Sequence, residues 1–546
     1  MADSTAGRAG RAWEWYLSDA GRRLFVGAVW AALVGTAFGY VAQYTRNWPI
    51  ADEWAFVGDF LAGDKPRGEW IFERHAEHRY PFARSILVLI DEVCGHDYRI
   101  ATGLNAVLLA AASAFLILAA RRLRGTTEYT DCFFPALLLH RGHCEELLMG
   151  YQLAFALSEF CIAAFVLALA GSRPRLGIAA LAVAGLAGGG GAGILFALPL
   201  GLTLLAIIVR RRTGFGPACL TAIALAAAAL QIADALLHPT DSARNGFAVT
   251  ATVTLQVADG AFGRCIGEEF PGTGAAVIAG ALLAALLLVR SARRDPVAHR
   301  SLALLAVLAG AFAFLLAVGH ARPNGYAYRN SAFSQFAVAV PWLWATRFRE
   351  RRRWHAVVGA AIVAVVATQV IRQNWGSGIQ CGDRYAEAYA AAEGDARRGI
   401  PVDALAERNH YYFQSAEWNA RAWRILHTRG IGLAAEAPPR PILSVAATAP
   451  LAQSADSLRW PIGTPVPGVR AVRVRGTRPT STEWTSVRFT WIEVADDGRE
   501  TSRSERRAVW RNPGAWSALL WIDGSIREVT LECDGEDRPE SVEWLR

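Results

Sequence analysis

The sequence predicts a mostly α-helical, polytopic membrane bundle of about eleven spans, followed by a C-terminal, extracytoplasmic β-sandwich. Three observations predict it. Hydrophobic residues make up 53% of the 546 and charged residues 19%, with a mean hydropathy of +0.22, too apolar for a soluble chain of this size. Long apolar runs recur up to Ile371. From residue 441 the pattern changes to short alternating or β-rich segments punctuated by turn residues.

The first run, 24–45, follows Arg22 and Arg23 and carries no charge. It is longer than the apolar region of a cleaved signal peptide and reads as an uncleaved first span. Further runs lie at 100–120, 152–171, 176–209, 216–238, 274–289, 301–319, 332–346 and 355–371, with a shorter one at 132–140. The run 176–209 is uncharged for 34 residues. At ~1.5 Å per residue one helix of that length would overshoot a ~30 Å hydrocarbon core. It is better drawn as two spans broken at the glycines 188–191. That break reads as a tight turn, or as a place where backbone amides approach a lipid phosphate.

Arginine clusters orient the bundle, because charged flanks resist translocation. They are Arg8, Arg11, Arg22 and Arg23; Arg121, Arg122 and Arg124; Arg173 and Arg175; Arg210 to Arg212; Arg290, Arg293 and Arg294; and Arg347, Arg349 and Arg351 to Arg353. With the N-terminus cytoplasmic, every cluster falls on one side, and an odd number of spans places residues from about 372 outside. The expected organisation is a transmembrane domain over 1–371, with an outer loop at 46–99, a helical extracytoplasmic region at 372–440 and the β-sandwich at 441–546. A second outer loop, about 239–273, carries weaker signals.

The net charge is +8, and Lys65 is the only lysine among 56 basic residues. That bias reads as genome composition, so no nucleic-acid partner is expected. Eight cysteines without a CxxC give no zinc or redox signature. Cys381 and Cys533 both fall in the exported part, where they either pair or stay free.

The first outer loop carries most of the chemistry. Asp52-Glu53-Trp54 follows the first span closely, and His75-Ala76-Glu77-His78-Arg79 follows in the same loop. A carboxylate there could take a proton from an acceptor hydroxyl, while His and Arg stabilise a phosphate leaving group. A solvated polar loop with ordinary salt bridges is the alternative. His75 and His78, with Asp52 or Glu53, are also the set that would hold a divalent cation, but no third ligand has diagnostic spacing, and no metal is assigned.

The arrangement resembles the GT-C class of membrane glycosyltransferases, many-spanning enzymes that take sugar from a polyprenyl-phosphate donor on the outer face. The resemblance rests on Asp52-Glu53-Trp54, on Glu77-His78-Arg79, and on His140-Arg141-Gly142-His143-Cys144-Glu145-Glu146 leading to Gly150-Tyr151-Gln152-Leu153. Glu145, Gly150 and Gln152 match a motif of bacterial members, whereas Glu146 stands where Asn is expected. Tyr326-Ala327-Tyr328-Arg329-Asn330 is similar to the family's aromatic-Arg segment.

By that resemblance the acid after the first span is the general base, which carries over to Asp52, with Glu53 as the adjacent candidate. Loss of the lipid phosphate leaves oxocarbenium character, and a hydroxyl deprotonated by Asp52 attacks from the opposite face, inverting the anomeric centre. The substrate- or phosphate-binding candidates are His75, His78, Arg79, His143, Glu145, Tyr328 and Arg329, with His140 as a further one, since Arg presents fixed paired donors to phosphate. The implied partners are a polyprenyl-phosphate sugar donor, a glycan or glycolipid acceptor and membrane lipid. The implied location is a bacterial plasma membrane, with the C-terminal domain periplasmic or extracellular.

Polar residues also fall within the spans. Gln231, Asp234 and His238 share one helical face, and Glu159 lies within another run; each either lines a groove or makes a buried interhelical bond. In the C-terminal domain Trp460, Trp484, Trp491, Trp510, Trp516, Trp521 and Trp544 are either sugar-stacking faces or core. Two other functions fit the composition: a flippase of lipid-linked intermediates, although no repeat relates the two halves, and a non-catalytic anchor that presents the β-domain.

Overall fold

The computed structural model describes residues 18–545 except for 51, 64, 76–77, 96, 213, 239–244, 264–268, 271, 295–296, 323–327, 348–352, 399, 409–415, 433, 435–444, 451–458, 464–469, 479–484, 496, 510–513, 523–524 and 534–537. Glu77, Tyr326, Ala327, Trp484 and Trp510 therefore lie outside the described residues. Packing divides the chain into two units, Met1–Thr45 with Gly68–Asp383, and Arg46–Arg67 with Arg384–Arg546. The loop 46–99 is thus shared between them.

In the first unit, seven helices among the described residues are long and apolar enough to cross a membrane: Asp19–Tyr44, Tyr98–Arg124, Gly150–Ala170, Gly191–Arg211, Phe215–Leu237, Thr273–Arg294 and Ala298–Ala321. Leu176–Ala187, Phe247–Phe262 and Ala332–Ala345 are shorter apolar helices. The run 132–140 folds only as the six-residue helix Phe133–Leu138, which rises about 9 Å. The run 355–371 lies within the long helix Arg353–Arg397.

Local chemistry sets the helix ends. Asp97 caps Tyr98–Arg124 by accepting from the Arg99 N–H at 3.0 Å, and the Arg99 guanidinium beside it holds the Asp97 carboxyl below its ordinary value. Arg121, Arg122 and Arg124 occupy the last turn, where cations offset the helix dipole. Arg124 also pairs with the fully buried Asp131 at 2.6 Å. Pro81 opens Pro81–Cys94, and Gly95 closes it in the left-handed region.

The bundle core is built of Ala, Leu and Phe, with Phe333 against Phe314 and Phe196 at ring separations of 5.0 and 5.7 Å. Its exterior is equally apolar: Phe215 is 87% exposed and Leu230 70%. Such surface would be unfavourable in water and suits hydrocarbon.

In the second unit two four-stranded antiparallel sheets form the sandwich. One has the order β3 (Val445–Pro450), β10 (Arg538–Leu545), β5 (Ala471–Arg478), β8 (Gly514–Trp521); the other β4 (Arg459–Gly463), β9 (Ser525–Cys533), β6 (Thr485–Val494), β7 (Glu500–Val509). Alternate residues of both sheets face inward. Val472, Val474, Trp516 and Trp544 from the first sheet meet Phe489, Val529 and Leu531 from the second. Trp516, Trp521 and Trp544 are buried, and Trp491 packs partly against this core. Those rings are therefore committed to packing.

Buried ion pairs bind helices to the sandwich within this unit. Arg408, itself buried, pairs with Asp395 at 2.9 Å and Glu505 at 2.7 Å and donates to the Leu519 carbonyl at 3.1 Å. Arg473 on β5 is gripped by Glu407 and Glu543. Burial alone would lower its pKa, but the two carboxylates raise it above its ordinary value.

Candidate active site

Asp52 and Glu53 lie in the second unit, at the start of the short helix Glu53–Ala55, which runs into the π-helical turn Phe56–Leu61. Glu53 is buried, and its carboxylate accepts from the Ile50 N–H at 2.7 Å while its own N–H donates to the Ile50 carbonyl at 3.0 Å. Trp54 is buried too. It stacks on Trp423 at 6.0 Å and meets Trp48 edge-on at 5.3 Å, with Trp48 and Trp423 4.5 Å apart. Helix Ala416–Thr428 brings Trp423 to the loop. The two neighbours of Asp52 on its C-terminal side are thus fixed by packing and hydrogen bonding. Asp52 itself is half-buried and makes no capping hydrogen bond.

The remaining candidates belong to the first unit. Two short strands pair antiparallel here, β1 (Arg74–His75) with β2 (His78–Arg79). Their register places Arg74 opposite Arg79 and His75 opposite His78. Residues opposed in a ladder share a face, so the two arginines lie on one side and the two histidines on the other.

The arginine side meets the polar face of helix Phe215–Leu237. Arg79 Nε donates to Asp234 at 3.1 Å and its Nη1 to the Phe72 carbonyl, while Arg74 lies 3.7 Å from Asp234 and donates to the His238 carbonyl at 2.9 Å. His238 sits 3.3 Å from Asp234, and Gln231 donates to the Ala187 carbonyl at 2.7 Å. Asp234 thus joins Arg79 to a membrane-spanning helix. One carboxylate between two guanidiniums leaves net positive charge at this rim.

The histidine side meets the glycine break. An ideal Cβ on Gly191 would stand 2.5–2.6 Å from three atoms of the His78 ring, and one on Gly188 would stand 2.6 Å from the Phe82 ring. Gly190, at φ +93°, takes the ring of Tyr80 in the same way. The Phe82 N–H donates to the Gly188 carbonyl at 3.2 Å. Glycines 188–191 are therefore both the turn between Leu176–Ala187 and Gly191–Arg211 and a seat for His78, Tyr80 and Phe82. Only residues without side chains admit three rings so closely. His75 lies 6.1 Å from the Tyr80 ring and 4.9 Å from that of Tyr151.

The motif around residue 143 is largely interior. His143 is fully buried; its Nε2 lies 3.2 Å from the Leu137 carbonyl and 2.5 Å from Gln335 Nε2, and its Nδ1 lies 3.6 Å from Glu146. His140 stacks on it at 4.3 Å and accepts from the Gly142 N–H at 3.0 Å. Glu146 is fully buried as well. Glu145, by contrast, is half-buried and accepts from the Arg329 N–H at 3.2 Å, so it tethers the helix Tyr328–Ser334. The candidates Glu145, Tyr328 and Arg329 thus form one local group, and His75, His78 and Arg79 another.

Among the described residues no group of three or more His, Cys, Asp or Glu side chains is placed to hold a metal ion. Asp234 and Gln335 were not site candidates in the sequence. The polar face of Gln231, Asp234 and His238 was the signal for the first. For Gln335 there was none, because its partner His143 is remote in the chain.

No family model and no curated protein matches the chain. Among solved structures, the oligosaccharyltransferase of Archaeoglobus fulgidus, tethered through a disulfide bond to an acceptor peptide containing the NVT sequon, aligns over 96% of this chain and 98% of that one, with 10% sequence identity and a TM-score of 0.40.

Proposed function

We propose that the chain is a membrane glycosyltransferase of the GT-C type that moves a sugar from a polyprenyl-phosphate donor to an extracytoplasmic glycan or glycolipid acceptor. Asp52 is the general base. The observation that carries this reading is the division of roles within Asp52-Glu53-Trp54: Glu53 and Trp54 are fixed by the Ile50 N–H and by Trp423, and Asp52 between the loop and these anchors carries an uncapped carboxylate. A rigidly held base loses little entropy when it meets its substrate.

In the proposed reaction the acceptor hydroxyl gives its proton to Asp52 as its oxygen attacks the anomeric carbon. The bond to the lipid phosphate oxygen breaks on the opposite face, and the configuration inverts. Within the first unit, Arg79, held in orientation by Asp234, is the contact we assign to the lipid phosphate, with His75, His78 and Arg329 as further candidates. Glu145 keeps the Arg329 segment in place.

The test uses the full chain in detergent micelles with a panel of polyprenyl-phosphate sugars and glycan acceptors. Micelles have no compartments, so moving a lipid between leaflets gives no signal there. Glycosylated acceptor and free polyprenyl phosphate in equal amounts are expected. Transport of donor across reconstituted vesicles, with no product in micelles, would make the chain a flippase instead.

A further inference from the structure

Helix Arg353–Arg397 runs past residues 141–144 in a tight register. An ideal Cβ on Gly142 would lie 2.5 Å from Asn374 Oδ1, and one on Gly378 would lie 2.5 Å from the Arg141 carbonyl oxygen. The Arg141 guanidinium stacks on Trp375 at 3.5 Å. From the first span, the Tyr40 hydroxyl donates to the Gly378 carbonyl at 2.6 Å and the Tyr44 hydroxyl to Asp383 at 3.1 Å. Cys144 and Cys381, three residues beyond Arg141 and Gly378 respectively, are both buried. Their thiols are in hydrogen-bond contact, beside Tyr40. Cys381 thus has Cys144 as its thiol neighbour within the first unit, and both are free thiols in this structure.

We infer that Cys144 and Cys381 are a redox pair that closes to a structural disulfide, fixing helix Arg353–Arg397 onto the segment that carries His143, Glu145 and Glu146. The inference rests on the orientation expected from the arginine clusters, which puts both cysteines at the exported, oxidising side. The oxidant is a disulfide of an exported thiol–disulfide exchange protein. Before packing buries the pair, a thiolate of it attacks that disulfide to give a mixed disulfide, and the second thiol displaces the carrier. One S–S bond forms and one breaks, the two cysteines lose two electrons and two protons, and the carrier leaves as a dithiol.

The test isolates the full chain without reductant, denatures it in N-ethylmaleimide, digests it and maps the peptides by mass spectrometry. A peptide pair joined through Cys144 and Cys381 is expected, lost on reduction, and Cys144→Ser is expected to leave Cys381 fully alkylated. Recovery of both cysteines as maleimide adducts from the unreduced protein would overturn the inference. Labelling of the exposed Cys94 by an impermeant maleimide on intact cells then identifies the fault. Labelled Cys94 means that the pair itself does not close, and unlabelled Cys94 means that the orientation was misassigned.

Discussion

Arg79 Nε donates to the Asp234 carboxylate at 3.1 Å, joining the strand pair Arg74–His75 and His78–Arg79 to an apolar helix 155 residues further along the chain. The same carboxylate lies 3.7 Å from Arg74, so the strand pair is held by charge where it has little apolar surface to bury. A guanidinium used in two directions at once, toward Asp234 and the Phe72 carbonyl, is not replaced by an ammonium.

Arg79→Lys is therefore expected to raise the donor KM about tenfold, with kcat within about twofold, a loss of ~1.4 kcal/mol in binding. Asp234→Asn is expected to lower stability only slightly, in line with a partly exposed, solvent-screened ion pair. Steady-state kinetics and thermal unfolding in nanodiscs check both. A collapse of kcat at constant KM for Arg79→Lys would move that residue from donor binding to the chemical step.

Gly191→Ala is expected to displace His78 and destabilise the chain by roughly 1–3 kcal/mol through overpacking. Gly177, where an added Cβ meets nothing within 4 Å, is the control, and Gly177→Ala is expected to be neutral or slightly stabilising. Thermal unfolding of the two variants side by side reads the difference. Equal stabilities would mean that the glycine break is a turn and not a seat.

Those two roles of the break show what a sequence makes legible. The turn was readable, because 34 uncharged residues cannot form one span. The seat was not, since it depends on His78, Tyr80 and Phe82, which stand more than a hundred positions earlier. The spans and the sandwich were legible for the same reason as the turn: hydropathy and alternation are local patterns. The grouping of the loop 46–67 with the C-terminal helices was not, because it rests on Trp48, Trp54 and Trp423 meeting across the chain. Likewise His143 reads as a substrate- or phosphate-binding candidate in its motif, and its burial against Gln335 was not legible there.

The tryptophan cluster gives a third expectation. Trp423→Ala should cost about 3–5 kcal/mol, as removal of a fully buried Trp does, and should loosen the loop that carries Asp52. Hydrogen exchange over residues 46–61 is expected to rise. Unchanged protection there would mean that Trp423 does not anchor the loop. Glu53→Gln should act in the same direction but more weakly, because Gln keeps an oxygen for the Ile50 N–H.

The reduced protein should show two classes of thiol. Burial, together with the hydrogen bond to Cys381, pushes the Cys144 thiol well up from its ordinary value, whereas Cys94 is exposed. The thiolate is the reactive form, so at pH 9 the exposed Cys94 should be alkylated readily while Cys144 stays nearly inert until the chain unfolds. Timed alkylation with mass readout measures this. Equal rates at pH 9 would show that Cys144 is neither buried nor elevated.

The central claim concerns the carboxylate of Asp52, and its most direct test compares Asp52→Asn with the unaltered chain in single-turnover sugar transfer and in donor binding. The account predicts a fall of at least about 10²-fold in the transfer rate, with donor Kd and thermal stability unchanged, the signature of a lost general base. Transfer at the original rate would contradict it, as would a loss that tracks weakened donor binding.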